Sequence, residues 1–387
     1  MQKIEELAQL ARSRSLYLKE EKEKGVKIVG YTGRFVPEEL IYASGAIPYL
    51  ICRGGEPEPP EATLPYMLRF LNPFARSQIG YQILGVEPVI PILDLIVAQC
   101  SDCHESRLAD LFEYFKLPTV RLGVPPDWKK SISVAYYRKG LARLVKTLED
   151  LTGTDISDHN LKKSISTLNS MREILNKINL LRKQPLPPIG GYDFVRLNHL
   201  SYYCDPSESI NRLEDLYSHL KTRKSPFPND APRLLLAGQV VAVGDYVVLK
   251  LIEDSGGVIT TEFLDHGCRQ YPWNVSTDGD LVRNIGTTYY LERTPPSIFQ
   301  PAWKSRIEYM KKLIGEFNIE GVVWYQLSFE EIYNMECSVI LKSIEDLKIP
   351  FLKLESSYEY AREAMGTLTT RIESFVETIR QRRSSPR

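Results

Sequence analysis

The amino-acid sequence predicts an α/β protein in which a helical layer bridges two parallel-sheet domains. Short apolar strands alternate with helices in both halves of the chain, and residues 131–183 show helical periodicity with few breakers. A pattern of strand, polar loop, helix and strand also occurs twice in similar form. Because alternating strands and helices favour parallel sheets with right-handed crossovers, each half of the chain is predicted to form one such sheet.

The first α/β domain is predicted over residues 25–130, after a charged amphipathic helix at residues 1–24. The segments VKIVGY and AIPYLIC are typical of strands, and PEELIYASG between them favours a helix with Pro37 in its first turn. Residues 59–87 are helical and rich in aromatic side chains. A strand at residues 89–99, the helix ESRLADLFEYFK and the strand LPTVRLGVPPD are predicted to complete this domain.

A helical layer with a linker is predicted over residues 131–230. The segments AYYRKGLARLVKTLEDLTG and SDHNLKKSISTLNSMREILNKINLLRK carry apolar residues at helical spacing, and TDIS at residues 154–157 supplies the cap signal between them. A further helical stretch leads to TRKSPFPNDAP. The turn residues of that segment indicate a domain boundary.

The second α/β domain is predicted over residues 231–387. Its strands are RLLLAGQ, GVITTEFLD, GVVWYQL and IPFLKLE, its helices include DYVVLKLIEDSG, residues 301–317 and EIYNMECSVILKSIEDLK, and an exposed helix at residues 365–383 ends it. DLIVAQCSDCHESRLADLFEYFKLPTVRLGVP in the first half parallels GVVWYQLSFEEIYNMECSVILKSIEDLKIPFLKLE in the second. The two domains are therefore expected to share one architecture, Rossmann-like or flavodoxin-like.

The composition excludes several classes of function. Lys plus Arg and Asp plus Glu both number 49, and this zero net charge argues against a broad nucleic-acid surface. The apolar stretches are shorter than the ~20 residues that cross a bilayer, and the charged N-terminal helix lacks the apolar core of a signal peptide. The six cysteines are too sparse for a disulfide scaffold. We therefore expect a cytoplasmic protein, without membrane or nucleic-acid partners, whose cysteines are thiols or ligands.

The stretch AQCSDCHESR at residues 98–107 places two cysteines three apart, where a predicted strand gives way to a helix. Three interpretations stay open. Cys100 could end the strand in the core with Cys103 as a free thiol, the two could form a redox pair, or they could join other thiolates around a metal or cluster. Cys103 begins the helix, where backbone N–H groups favour a thiolate, so it is the better functional candidate.

Two further polar loops follow predicted strands. His266, Cys268 and Arg269 follow one strand and suggest a ligand or an anion-binding corner, or else a plain turn. Ser328 and Glu330 follow another. Since ligands bind at the carboxyl ends of strands in open α/β sheets, all three loops are predicted to meet in one interdomain crevice. The chain has neither a glycine fingerprint for dinucleotides nor a P-loop.

Five segments, in order, resemble the subunit family of 2-hydroxyacyl-CoA dehydratases and benzoyl-CoA reductases, which also includes double-cubane cluster proteins. They are GYTGRFVPEELIYASGAIPYLI, LDLIVAQCSDCHESRLADLFEYF, LLLAGQVVAVGDYVVLKLIEDSGGVITTEFLDHGCR, GVVWYQLSFEE and KIPFLKLESSYEYAREAMGTLTTRIESFVE. The resemblance spans residues 25–378. It implies two α/β domains with a helical layer, working as a homodimer or as a heterodimer with a second family subunit.

The resemblance also implies a chemistry. Family cysteines hold a [4Fe–4S] or double-cubane cluster at the domain interface, and an ATP-dependent iron–sulfur activator supplies low-potential electrons. An acyl-CoA thioester is then reduced to a ketyl radical, which permits dehydration or ring reduction. On this basis the chain is expected to be a component of a lyase or oxidoreductase of anaerobic metabolism. Its expected site residues are the cluster ligands Cys100, Cys103 and Cys268, the cofactor-binding His266 and Arg269, and the catalytic Ser328 and Glu330.

Several family ligand positions differ in this sequence. Thr32, Gly33 and Arg34 stand where relatives carry a cysteine before the xPEEL segment, and Glu330 stands where the C-terminal loop usually has one. A cubane cluster needs at least three protein thiolates or a substitute ligand. Three hypotheses follow. The favoured one is a subunit with an atypical cluster; the alternatives are a cluster-less structural or regulatory paralogue that pairs with a cluster-bearing subunit, and a thiol-redox or zinc protein on the same scaffold.

Overall fold

The computed structural model describes residues 2–360 and 362–384, and it confirms the predicted fold class. Two four-stranded sheets form, and every strand pairing in them is parallel. The first sheet contains β1 (Ile28–Tyr31), β2 (Ile47–Leu50), β3 (Leu95–Cys100) and β4 (Thr119–Gly123). The second contains β5 (Arg233–Val240), β6 (Val258–His266), β7 (Gly321–Leu327) and β8 (Phe351–Ser356).

Fourteen helices of the described chain surround these sheets. They are α1 (Gln2–Glu23), α2 (Glu38–Ala43), α3 (Glu58–Ala62), α4 (Pro73–Ile83), α5 (Cys103–Tyr114), α6 (Ser131–Thr152), α7 (Asp158–Leu181), α8 (Gly191–Tyr203), α9 (Pro206–Thr222), α10 (Val247–Asp254), α11 (Leu281–Thr287), α12 (Trp303–Glu316), α13 (Glu331–Ile344) and α14 (Arg362–Ser384). Helices α6 to α9 are the predicted helical layer. Within the described residues, no helix is both long enough and apolar enough to cross a membrane.

Both sheets have the same strand order. The first is β2-β1-β3-β4 and the second is β6-β5-β7-β8, so the chain starts in the middle of each sheet and then moves to opposite sides. The strands β5 and β7 are buried along their whole length, as expected for parallel strands covered on both faces. This order creates a switch point between β1 and β3 and another between β5 and β7, and ligands bind at such points.

Local sequence explains where the structure departs from the predicted elements. The strand predicted at residues 89–99 begins only at Leu95, because Pro91 sits in a 3-10 turn at Ile90–Ile92. Conversely, β6 continues to His266. The helix α11 was not predicted, and a single π-helical stretch, Thr288–Glu292, prolongs it.

The segment 275–302 packs into the hydrophobic core of the first sheet, although it lies within the predicted second domain. Ile285 and Tyr290 are buried in that core, and the ring of Phe299 stacks on Phe35 with centroids 5.3 Å apart. The exact domain boundaries stay a prediction, but the two halves share this core.

Buried ion pairs also hold α2 against the rest of the chain. Glu38 and Glu39, both on α2, pair with Arg269 and Arg172 respectively. The first of these pairs links the helix after β1 to the loop after β6. Burying both partners together satisfies charges that would be costly to bury singly.

A third buried network lies at the end of β6. Asp265 accepts hydrogen bonds from Arg306 Nη1 at 2.5 Å and from the hydroxyl of Tyr333 at 2.7 Å. Burial alone would raise the pKa of Asp265, but neighbouring arginines, Arg306 first, hold it below its ordinary value. Asp265 therefore remains a carboxylate, and it ties β6 to α12 and α13.

Candidate functional site

The loops at the two switch points meet at a junction between the two sheets, which we call the cleft. His104, in the first turn of α5, lies with Nε2 3.9 Å from Oε1 of Glu330, the residue that precedes α13. Cys103 is close enough for Glu330 to contribute to its pKa, and Asp102 contributes in the same way to the pKa of His266. The structure therefore brings together parts of all three predicted loops.

A capping box explains the cysteine spacing between β3 and α5. The carboxylate of Asp102 accepts the backbone N–H of Glu105 at 2.8 Å, and Glu105 in turn accepts the backbone N–H of Ser101 at 2.9 Å. Cys100 is the last residue of the strand and Cys103 the first of the helix. The three-residue spacing of Cys100 and Cys103 therefore follows from the end of the strand and the start of the helix, and it does not require that the two thiols bind one ligand.

Glu330 is the centre of the cleft. Its side chain is buried, and Oε1 accepts hydrogen bonds from the amide nitrogens of Asn72 and of Gln239, the latter at 2.5 Å. Among the described residues, no group donates a hydrogen bond to Oε2. Burial, followed by the charge of Asp102, raises the pKa of Glu330 to about 8. Near neutral pH this residue is therefore largely a protonated carboxylic acid.

Asn72 holds both sides of this cleft in place. It caps α4 by accepting the N–H of Ala75 at 2.6 Å, and its own backbone N–H points to Nδ1 of His104 at 3.3 Å. This contact makes Nδ1 an acceptor, so the ring proton sits on Nε2, which faces Glu330. Burial lowers the pKa of His104, and the imidazole is accordingly neutral.

The thiols behave differently from the expectation. Burial raises the pKa of Cys100 to about 11, and the side chain packs against the core of the first sheet. Cys103 is exposed, but burial of part of its surface and the charge of Asp102 raise the pKa of its thiol. These two effects outweigh the backbone N–H groups at the start of α5, so the pKa of Cys103 does not favour the expected thiolate, and the functional role of this thiol stays a prediction.

Cys268 and Arg269 contact residues other than those that bind Glu330. The sulfur of Cys268 lies 3.7 Å from Nε2 of His199, and burial raises its pKa well above the ordinary value. Arg269 pairs with Glu38 and donates to the hydroxyl of Ser201 at 3.0 Å. The guanidinium is already engaged by protein groups, and its expected role in cofactor binding stays a prediction.

Ser328 follows β7 directly, as predicted. Its backbone N–H donates to the backbone oxygen of Ser356 at 2.9 Å, which fixes the start of the loop against β8. The hydroxyl of Ser328 makes no hydrogen bond to any described residue. Its catalytic role stays a prediction.

Comparison with known proteins now identifies the scaffold. The family model of 2-hydroxyglutaryl-CoA dehydratase, D-component, matches residues 34–379. The chain belongs to this family. The predicted resemblance is thereby confirmed.

Relatives of the dehydratase family match nearly the whole chain at low identity. A putative dehydratase subunit of Escherichia coli is 24% identical, over 92% of this chain and 93% of the relative. One of the subunits of the benzoyl-CoA reductase of Thauera aromatica is 23% identical, over 92% of this chain and 91% of the relative. The beta subunit of the (R)-phenyllactyl-CoA dehydratase of Clostridium sporogenes is 22% identical, over 94% of both chains.

The thiols of this dehydratase-family chain do not fit the expected iron–sulfur cluster. The described residues contain no group of three or more His, Cys, Asp or Glu side chains that could hold a metal. Of the expected ligands, Cys103 faces the cleft, Cys100 packs in the core, and Cys268 contacts His199. A cubane needs at least three thiolates, and the three expected ligands lie in three different environments, so the ligand set stays a prediction that these contacts do not support.

Sequence reasoning missed Asn72 and Gln239, the two amides that bind Glu330. A signal was present for the first, since Asn72-Pro73 combines a preferred N-cap residue with proline at the first helical position. Gln239 is a polar residue near the end of the fully buried strand β5. Buried polar side chains need partners, so this residue was a candidate on physical grounds.

Proposed function

We propose that this chain is a cluster-less subunit of an acyl-CoA dehydratase or benzoyl-CoA-type reductase assembly, which pairs with a cluster-bearing subunit of the same family. The ATP-dependent activator would then deliver electrons to that partner. The family match supports the assembly, and the separation of Cys100, Cys103 and Cys268 favours the cluster-less hypothesis over an atypical cluster. The chain would act in the cytoplasm.

The protonated Glu330 carries this proposal. A carboxylic acid in a buried site can donate a hydrogen bond from Oε2, the oxygen that no described residue occupies, while Asn72 and Gln239 hold Oε1. Such a donor would bind the carbonyl oxygen of an acyl thioester and stabilise negative charge that develops there. The residue that stands in place of a family cysteine would thus serve substrate positioning rather than cluster ligation.

An apolar rim beside the cleft supports a partner subunit. Leu68, Phe70 and Met335 are 73%, 72% and 59% exposed. The ring of Phe70 meets that of Phe329 edge-on with centroids 5.7 Å apart, which joins the two domains along this rim. Contiguous exposed apolar side chains of this size mark interaction surfaces.

Anaerobic purification with iron and labile-sulfide analysis tests the proposal. We expect the chain alone to carry far less than one iron per protein, and Cys103→Ala to leave that content unchanged. About four irons and four sulfides per chain, lost in Cys103→Ala and kept in the matched Cys337→Ala variant of a buried core thiol, would contradict it.

A further inference from the structure

A second groove lies between the helical layer and α12, apart from Glu330. Its volume is about 560 Å³, within the range of ligand sites. The wall contains side chains of α7 and α12 and of the loop that follows β6. The residues that matter here are Trp128, Lys129, Trp273, Arg293, Tyr309 and Lys312.

Arg293 is a buried cation that lines this groove without a carboxylate of its own. The residue is only 5% exposed, and among the described residues its side chain makes one hydrogen bond, from Nη1 to the backbone oxygen of Arg34 at 3.2 Å. The guanidinium carbon lies over the ring of Tyr289, 3.4 Å from the centroid, and Nε has no hydrogen-bond partner in the part of the chain that the structure describes.

No carboxylate of the described residues lies within ion-pair distance of Arg293. In contrast, the buried Arg172 and Arg306 each pair with carboxylates. A buried charge without an opposite charge is costly, so this guanidinium is suited to an anionic ligand.

The positive charge around Arg293 is not cancelled nearby. Burial lowers the pKa of Arg34 to about 10, and Arg293 and Arg306 push it in the same direction against Asp265. Glu39 is the carboxylate whose pKa Arg293 helps to lower, but its oxygens already bind Arg172 and the hydroxyl of Tyr289. An excess of cationic charge therefore remains at the groove floor.

Lysines and aromatic rings complete the groove. Lys129 and Lys312 are exposed at its rim, and the rings of Trp273 and Tyr309 stand side by side with centroids 5.7 Å apart. A flat ring against the aromatic wall and a phosphate against the cations would match this lining.

Two acids also line the groove, and both already have partners. Glu316 is paired with Lys183 at 2.8 Å and with Lys312 at 3.7 Å. Glu292 accepts a hydrogen bond from the hydroxyl of Thr288 at 2.7 Å. Neither acid pairs with Arg293, although the Thr288 hydroxyl does not offset the carboxylate of Glu292.

We propose that this groove binds the phosphorylated nucleotide portion of an acyl-CoA, with phosphate at Arg293, Lys129 and Lys312 and the base along Trp273 and Tyr309. The inference rests on the proposed function, in which the chain takes an acyl-CoA. Free adenine nucleotides offer the same phosphate and ring, so the experiment must separate the two sources.

Calorimetric titration of the purified full-length chain tests this, with coenzyme A, ADP and pantetheine as the probes. Coenzyme A is expected to bind, and Lys129→Ala and Lys312→Ala should each weaken it roughly tenfold, because each removes one charge-assisted contact. Lys311→Ala is the matched control, since Lys311 is exposed on the same helix but does not line the groove. Pantetheine, which lacks the nucleotide, should be insensitive to all three substitutions.

The outcomes separate the two proposals. Coenzyme A that binds equally to wild type, Lys129→Ala and Lys312→Ala would overturn the groove assignment and leave the proposed function intact. ADP that binds as tightly as coenzyme A would assign the groove to a free nucleotide instead. If coenzyme A does not bind at all, both the groove assignment and the acyl-CoA part of the proposed function fail.

Discussion

Replacing Glu330 by glutamine should remove about 3 kcal/mol of the stability that the protein loses as the pH rises from 5.5 to 8.5. Burial raises the pKa of Glu330 from the ordinary 4.5 to about 8, so the folded chain keeps a proton that the unfolded chain loses. The stability that this residue contributes is fully present below about pH 4.5 and is lost as the pH rises toward 8. Linkage gives a loss of about 3 kcal/mol between pH 5.5 and pH 8.5.

Glutamine suits the site because it imitates the protonated acid. Its oxygen can accept the same hydrogen bonds from Asn72 and Gln239, and its NH₂ group replaces the protonated Oε2. Urea denaturation at pH 5.5 and 8.5 measures the effect. We expect Glu330→Gln to lose about 3 kcal/mol less than wild type over this interval, whereas Glu214→Gln, at an exposed position on α9, should follow wild type. Equal losses in Glu330→Gln and wild type would refute the buried neutral acid.

Three further predictions concern a thiol, a glycine and an ion pair. The pKa of the exposed Cys103 is raised, so iodoacetamide should modify this thiol slowly at pH 7 and faster above about pH 9. Peptide mass spectrometry measures the extent of labelling. Rapid labelling at pH 7 would contradict the prediction, because it would require a stabilised thiolate. Gly33→Ala should lower the free energy of unfolding by at least about 2 kcal/mol, because the new Cβ would lie 2.2 Å from the side-chain oxygen of Gln99. Gly85 has a similar positive φ but lies in open space, so Gly85→Ala should cost only about 1 kcal/mol. Thermal unfolding measures both. Arg306→Met should lower the free energy of unfolding by about 3–5 kcal/mol, because it leaves the buried carboxylates of Asp265 and Glu336 unpaired. Arg121→Met, at a half-exposed ion pair, should cost less than about 1 kcal/mol. Similar melting temperatures for the two variants would contradict this.

The fold was predictable because its strands are apolar runs between clear turn signals. The convergence of Cys103, His266 and Glu330 followed from one rule, since all three stand at the carboxyl edges of parallel strands. The direction in which each side chain of a loop points could not be predicted from the sequence. Cys268 lies two residues after His266, yet Gly267 turns the chain at φ +89° and the thiol faces His199.

The sequence pattern could not predict which residues pair when they are far apart in the chain. Glu38 and Glu39 are adjacent, and nothing in the local sequence indicates that one meets Arg269 and the other Arg172. Their pairing depends on how the halves pack. The helix α11 was missed because Gly286 and Thr287 lower its helix propensity, and the packing of Ile285 into the first core compensates.

The shared core has a consequence for how the chain is made. Phe35 stacks on Phe299, and Glu38 pairs with Arg269, so the first domain leaves the ribosome without groups that complete it. At a synthesis rate of about 5–20 residues per second, Phe35 waits roughly 10–50 s for its partner ring. Through this interval the nascent first domain exposes apolar surface and an unpaired acid, and we expect chaperones on the ribosome to bind it.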